Sequence, residues 1–406
     1  MSEWQVTKVG LEASYINRGV SPKYTEDIKL GITVINQKCI RNGHIDLGLS
    51  RLHDKSKSAH PDKFLQNGDI LINSTGVGTA GRVGIFDKHV EAFVDSHVTI
   101  VRPNKALIHP EYLFHSLRYR EDEIEGYAEG STGQIELGRD KVKDIDISKP
   151  SSIDEQKAIA SVLSSLDDKI DLLHRQNTTL ERMAETLFRQ WFVEEAQEDW
   201  EKKPLGDLLT ITSSKRVFYS EYVSIGIPFY RSKEIIELHN SGSTNSELYI
   251  SEARFNEITQ QFGAPKEGDI LLTSVGTLGI PYRVKKTDKF YFKDGNLTWF
   301  KDFDRLPSVV IYCWLKSSIG KEQLDGITIG STQSALTISG MKQITLQVPP
   351  KDIIKNLKDK LTSIYNKIDA NQKQIQSLEK LRDNLLPKLM SGEVRVTLNG
   401  EHHDAI

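Results

Sequence analysis

Three observations predict an α+β fold in which two tandem globular domains, related by a pseudo-two-fold axis, are joined by two long helices in an antiparallel coiled coil. The first is unbroken helical periodicity. From Ser152 to about Glu195, Ile159, Leu166, Leu173, Leu180 and Leu187 recur every seven residues, flanked by Leu163, Ile170, Ala184 and Trp191, with no Pro or Gly between. Five such heptads predict a long helix of coiled-coil type. The second observation is a similar pattern near the end of the chain, where Ile354, Leu357, Leu361, Ile364, Ile368, Ile375, Leu378 and Leu385 keep a spacing of three or four up to Pro387. The third is a duplication. Gly68-Asp69-Ile70-Leu71-Ile72-Asn73-Ser74-Thr75-Gly76 returns as Gly268-Asp269-Ile270-Leu271-Leu272-Thr273-Ser274-Val275-Gly276, and Gly130-Ser131-Thr132 returns at the same offset as Gly330-Ser331-Thr332. A repeat this long gives each copy enough chain to bury its own core, unlike the short units of a solenoid.

These signals divide the chain into a first globular domain (1–151), a first helix (152–195), a second domain (196–350), and a second helix with the C-terminal segment (351–396). In the first domain, Ile32–Val34, Asp69–Asn73, Arg82–Phe86 and Phe93–Val101 are rich in β-branched and aromatic residues and bounded by turn formers, so they read as strands. An amphipathic helix is expected over His109–Tyr119. The second domain repeats the order with strands over Ile227–Tyr230, Asp269–Ser274 and Phe290–Phe300 and a helix near Ser308–Ser318. Ser152, with Glu155 three residues later, forms a capping-box start for the first long helix.

With 27% charged and 38% apolar residues over 406 positions, the chain has the composition of a soluble protein of two or three domains. No apolar run approaches the roughly 18 residues of a membrane span, and MSEWQVTK lacks an apolar signal region, so a cytoplasmic protein with no membrane partner is expected. Cys39 and Cys313 occupy non-equivalent places in the repeat, with no CxxC or Cys/His cluster, so both read as packing residues and no metal site is expected. A net charge of −3 argues against a broadly basic nucleic-acid binder. Its distribution is less discouraging, because Arg51–Lys63 (RLHDKSKSAHPDK) carries four Lys/Arg and two His against two Asp. That stretch fits a phosphate-facing loop, the bland alternative being a solvated surface loop.

Gly76-Val77-Gly78-Thr79-Ala80-Gly81 matches the dinucleotide pattern GxGxxG after a strand. The residues that follow, Arg82–Phe86, read as another strand, whereas pyrophosphate binding needs a helix N-terminus there. A tight turn is therefore expected. A metal-nuclease constellation, a GxxxxGK[ST] loop and a GxSxG elbow are also missing, so no catalytic residue is assigned.

Taken together, the tandem GDILIxxxG and GST segments, the P-x-x-D-E-Q start at Pro150, Asp154, Glu155 and Gln156, and the closing LLPKLMSGEVRV (Leu385–Val396) resemble the specificity subunit of type I restriction-modification enzymes. The likeness runs over essentially the whole chain. It departs at the second helix, which begins Pro349-Pro350-Lys351-Asp352 without the D-E-Q. The resemblance implies two target recognition domains, each reading one half of a bipartite double-stranded DNA target, with the helices as a spacer. It further implies a non-catalytic chain without a cofactor of its own. Two modification subunits would bind S-adenosylmethionine and methylate adenine, and two restriction subunits would use ATP and Mg to translocate and cut. The rival readings are a coiled-coil scaffold that binds only proteins and a dinucleotide enzyme.

Base reading calls for side chains able to form paired hydrogen bonds to base edges, held on loops beside phosphate contacts. Lys38, Arg41, His44, Arg51, Lys55, Lys57, Ser74, Thr75 and Arg82 in the first domain, and Lys215, Arg216, Arg231, Lys233, Ser274 and Thr277 in the second, lie where this is possible. Fewer than half are expected to touch DNA. Ser131, Thr132, Gln134, Ser331, Thr332 and Gln333 recur in both copies, so structural, phosphate or partner contacts are expected of them. Helix register follows from Asn177 and Asn371, each a lone Asn in an apolar seam. Facing them antiparallel pairs Ile159 with Leu389, Leu163 with Leu385, Ile170 with Leu378, Leu173 with Ile375, Leu180 with Ile368, Ala184 with Ile364, Leu187 with Leu361 and Trp191 with Leu357. WQVTKVG at the start answers WEKKPLG after the first helix, so the two termini are expected to be neighbours.

Overall fold

A computed structural model describes residues 3–57, 61–130, 135–330 and 334–396. The chain folds as two units, one from residues 1–170 with 377–406 and one from residues 171–376, so each long helix gives a part of itself to each unit.

In the first unit the strands are β1 (Trp4–Lys8), β2 (Ala13–Arg18), β3 (Tyr24–Thr25), β4 (Gly31–Ile35), β5 (Ile40–Arg41), β6 (His44–Ile45), β7 (Arg51–Asp54), β8 (Ile70–Asn73), β9 (Val83–Ile85), β10 (Ala92–Val94), β11 (Val98–Pro103) and β12 (Asp146–Pro150). They assemble a central sheet β2-β11-β8-β9, a second sheet β10-β4-β7-β3, and the pairs β1-β12 and β5-β6. All four residues of β8 are buried, because the central sheet is covered on both faces. Ile70 and Ile72 face a core shared with Leu113, Leu117, Ile159, Leu163 and Leu389. Leu71 turns the other way, to Val94 and Ile100.

The second unit repeats the plan with β13 (Glu201–Pro204), β14 (Thr210–Thr212), β15 (Tyr222–Val223), β16 (Ile227–Tyr230), β17 (Tyr249–Ile250), β18 (Ile270–Thr273), β19 (Pro281–Arg283), β20 (Tyr291–Phe292), β21 (Leu297–Lys301) and β22 (Thr345–Val348). Its sheets run β14-β21-β18-β19 and β15-β17-β16-β20, with β13 paired to β22. Even the parallel strand pairing recurs, β4 with β10 and β16 with β20. Ile270 and Leu272 share a core with Ala184, Phe188, Leu357, Leu361 and Ile364.

The repeated motifs are the joints of this scaffold. Gly68 and Gly268 sit at φ 92 and 89, which a side chain would strain. Asp69 accepts from the Gln66 amide and takes Arg102 at 2.8 Å; Asp269 accepts from the Lys266 amide and from Trp299 Nε1. Gln156, fully buried, donates to the Pro150 carbonyl and accepts from the His109 amide, tying the first long helix to β12 and to the Pro110–Arg118 helix.

The first long helix runs Ile153–Arg189, with Ser152 Oγ accepting from the Glu155 amide. Its last expected turn widens into a π-helix over Gln190–Glu194. The second runs Lys351–Ser391, passing through Pro387 where the sequence suggests a stop. Leu389 and Met390 beyond the proline are buried in the first unit's core, which holds that segment helical until Gly392 (φ 78) ends it. Within each unit the helices pair antiparallel, since partners rise in number on one helix as they fall on the other. In the second unit Asn371 donates to Asn177 Oδ1 at 2.8 Å. In the first, Asp167 takes Arg382 at 3.0 Å and Arg118 at 2.7 Å, and Glu155 takes Arg395 at 2.6 Å. Asp167 thus fills a buried seam position while the heptad residue Leu166 is only half-buried. Two guanidiniums make burial of that carboxylate tolerable.

Two expected strands each split. Phe93–Val101 becomes β10 and β11 around a turn in which Asp95 Oδ1 accepts from the His97 amide, and Phe290–Phe300 breaks into β20 and β21 around Gly295 (φ 76). Strand β1 and the segment after the second long helix meet in the first unit, where Gly392 abuts the Trp4 ring and Arg395 lies over it at 5.8 Å.

Candidate nucleic-acid interface

The scaffold is common to both units, but what it carries between matching strands differs. Between β4 and β7 the first unit inserts a 3-10 turn over Gln37–Cys39 and the β5-β6 hairpin. Asn42 (φ 53) and Gly43 (φ 80) form its two-residue turn, the Asn-Gly signal by which a sequence marks a hairpin. Cys39, Ile40 and Ile45 bury the inner face. Gly84 admits it, since a Cβ there would lie 3.2 Å from Ile40 and 3.3 Å from Ile45. The outer face carries Lys38, Arg41 and His44, all exposed. On β7 and its extension, Arg51 stacks at 3.3 Å over the Tyr24 ring, and Lys55 and Lys57 are exposed. Among the described residues, Lys38, Arg41, Lys55 and Lys57 form no ion pair, so the first unit presents exposed cations without a direct carboxylate contact.

Between β16 and β17 the second unit inserts a helix, Ser232–Ser241, and a further helix, Glu252–Phe262, follows β17. Ser251 as N-cap and Gly263 after the last turn are the signals that mark the latter in the sequence. Here three of the four candidate cations are ion-paired. Arg231 is held by Glu234 at 2.7 Å and Glu247 at 2.9 Å, and Lys233 by Glu247 at 2.5 Å. Glu234 and Glu247 hold the Arg231 guanidinium more firmly protonated, while Lys233 and then Arg231 hold the Glu247 carboxyl below its usual range. Arg216 pairs with Asp294 at 2.8 Å, and Lys215 lies 5.0 Å from the Phe262 ring centre.

Other candidates are inside the fold. Ser74 and Ser274 are buried, their hydroxyls 2.6 Å from Thr99 and Thr298, so they clamp neighbouring strands and cannot reach a duplex. That is a correction, and its cause is the tightness of the sheet at the strand's end. Thr75 bonds Gln37 and His97, and Arg82 donates to the Gly78 carbonyl at 2.6 Å; both are half-buried. Thr277 is exposed on the β18-β19 turn. Ser131, Thr132, Gln134, Ser331, Thr332 and Gln333 lie outside the described residues. Positions missed in the sequence are Lys23 and Lys29, exposed beside Tyr24 next to β7; only their nearness to Arg51 in space marks them.

The glycines of residues 76–81 make a tight turn, with Thr79 and Ala80 amides donating to the Gly76 carbonyl, and β9 follows rather than a helix. Pyrophosphate would find no helix N-terminus there. Burial pushes the Cys313 thiol up to about 12 and raises that of Cys39. Among the described residues no group of three His, Cys, Asp or Glu could hold a metal ion, and no helix is long and apolar enough to cross a membrane.

The model of the type I restriction modification DNA specificity domain matches residues 1–182 and again 197–380. Two such domains in tandem define the class, a duplicated DNA-sequence recognition protein. The chain is 30% identical over 313 residues to the MjaIX specificity subunit of Methanocaldococcus jannaschii, covering 70% of this chain and 69% of that one. It is 24% identical over 477 residues to the HindI specificity subunit of Haemophilus influenzae, covering 97% and 100%. In fold it is similar to the crystal structure of a type I restriction-modification S subunit from M. genitalium, with a TM-score of 0.62 at 17% identity over 96% of both chains. The chain belongs to the family of type I restriction-modification specificity subunits.

Proposed function

We propose that each globular domain reads one half of a bipartite duplex target and that the helix pair sets the unspecified gap between the halves. The chain itself does no chemistry. It recruits two modification subunits, which hold S-adenosylmethionine, and two restriction subunits, which use ATP and Mg. One observation carries this reading: a single scaffold appears twice, and its inserts differ at the same place in the sheet, a cationic hairpin after β4 and a helix after β16. That is the arrangement expected when architecture is held constant and specificity is varied. Helices of 37 and 41 residues, at about 1.5 Å per residue, are each long enough to span roughly one duplex turn.

The test is an exchange of residues 1–151 for the first domain of another family member, assembled with the methylating subunits, followed by mapping of modified adenines. One half-site should change and the other persist. A change in both halves, or binding by the assembled complex that ignores salt concentration, would defeat the reading, the latter in favour of a protein-only scaffold.

A further inference from the structure

The two most exposed isoleucines among the described residues occupy matching turns. Ile28, between β3 and β4, is 83% exposed, and Ile225, between β15 and β16, is 88% exposed. A lone exposed aliphatic is ordinary. The two turns join equivalent strands but differ in length and sequence, TEDIKLG and VSIG; Ile225 directly precedes Gly226 and Ile28 lies three residues before Gly31, so what recurs is an exposed isoleucine on the same turn. Each tip is also pinned. In the first, Thr25 Oγ1 accepts from the Asp27 amide, Asp27 Oδ1 accepts from the Lys29 amide, and the Lys55 amide donates to the Leu30 carbonyl. Gly31 closes that turn so tightly that a Cβ would stand 2.8 Å from Leu52 and 3.0 Å from the Asp27 carbonyl; at Gly226 it would stand 2.3 Å from the Ile250 carbonyl. These side chains stand exposed on turns whose backbone is closely fitted to the second sheet.

We propose that Ile28 and Ile225 are apolar wedges that enter the duplex between base steps, one in each half-site. This rests on the reading of the chain as a two-domain DNA reader. The surroundings favour nucleic acid over a protein partner. Lys29, next in the chain, and Lys55, whose amide donates to the Leu30 carbonyl, are exposed and form no ion pair among the described residues, so the first tip carries cations beside it together with Glu26 and Asp27. The second wedge is approached by a segment that exposes Phe218 and Tyr219, rings able to stack on bases. Aliphatic side chains inserted between base steps are a means by which proteins unstack and kink a duplex.

The experiment uses the full chain assembled with its methylating subunits and duplexes carrying a fluorescent adenine analogue in one half-site or the other. Ile28→Ala should abolish the analogue's fluorescence rise in the first half-site only and weaken binding roughly tenfold with an unchanged salt slope. Ile225→Ala should do the same in the second half-site. Both positions are exposed, so folding is not at stake. Unchanged fluorescence and affinity in both variants overturn the wedge while wild-type binding leaves the reader intact. Loss of assembly with the methylating subunits in the absence of DNA also overturns it, by making the isoleucines a protein contact. Failure of the wild-type complex to bind DNA would instead strike the underlying function.

Discussion

Lys38 of the first unit and Lys233 of the second stand at matching places after matching strands, yet they live in different electrostatic worlds. Lys38 projects from a 3-10 turn without an ion partner among the described residues, whereas Lys233 is tied at 2.5 Å to Glu247, which also holds Arg231. The contrast extends to the helix seams. The first unit fixes its pair with Asp167 between two arginines, and the second with one Asn-Asn hydrogen bond. Duplication preserved the backbone frame, while side-chain electrostatics diverged on it. A positive residue aligned with a positive residue is therefore no guarantee of equal field, because the field depends on what the intervening insert brings alongside.

The largest expected difference is in the seams. Asp167→Ala leaves Arg118 and Arg382 facing each other with little exposure and should cost about 3–5 kcal/mol. Asn177→Ala removes the shorter of two hydrogen bonds from the buried Asn371 Nδ2, the other going to Gln176 at 3.5 Å, and should cost about 1–2 kcal/mol. Chemical denaturation measures both, and equal losses would erase the distinction between the seams.

A smaller contrast lies in the matching aspartates. Asp69→Asn removes the charge from a largely buried pair with Arg102 and should destabilise by about 2–3 kcal/mol, while Asp269→Asn should change stability by less than about 1 kcal/mol, since among the described residues that carboxylate forms no ion pair. Burial raises the Asp269 carboxyl above its ordinary range. The folded state then holds that proton more tightly than the unfolded chain, so the associated stability is present at low pH and is lost as pH climbs through the raised value. Asp269→Asn should flatten the stability curve over that acidic window. A variant curve parallel to the wild type would remove Asp269 from the account.

The smallest effects concern binding. Arg41→Ala should weaken DNA binding by the assembled complex roughly tenfold and lower the salt slope by about one. Lys233→Ala should change affinity less than about twofold, because Arg231 still neutralises Glu247. Titrations at several salt concentrations decide this, and equal responses would show that the second unit releases its cations on binding.

Much of the architecture was legible because it is written in repetition. The paired GDIL strands, the heptads and the lone seam asparagines are local or periodic signals, and backbone geometry follows from them. What stayed hidden was partnership at a distance. Nothing near Arg216 announces Asp294, and nothing near Asp167 announces Arg382, because those contacts are made only by tertiary packing. Ser74 and Ser274 misled for the opposite reason. Their strand-end location reads as solvent-facing, but the neighbouring strand's Thr99 and Thr298 close over them. Pro387 breaks the helical rule because burial of Leu389 and Met390 outweighs one missing hydrogen bond.

The meeting of Trp4 with Gly392 and Arg395 has a consequence for the order of events during synthesis. The second unit is continuous in the chain, from 171 to 376, and has every residue of its core before the last segment is translated. The first unit, although begun earlier, lacks Leu389 and Met390 until the end emerges, leaving Ile159 and Leu163 without that part of their packing. The later-made domain can thus finish first, and the earlier one waits with an open apolar flank during translation of some 200 residues, at a pace of about 5–20 residues per second. For tens of seconds the nascent chain exposes a surface that its own tail is built to cover.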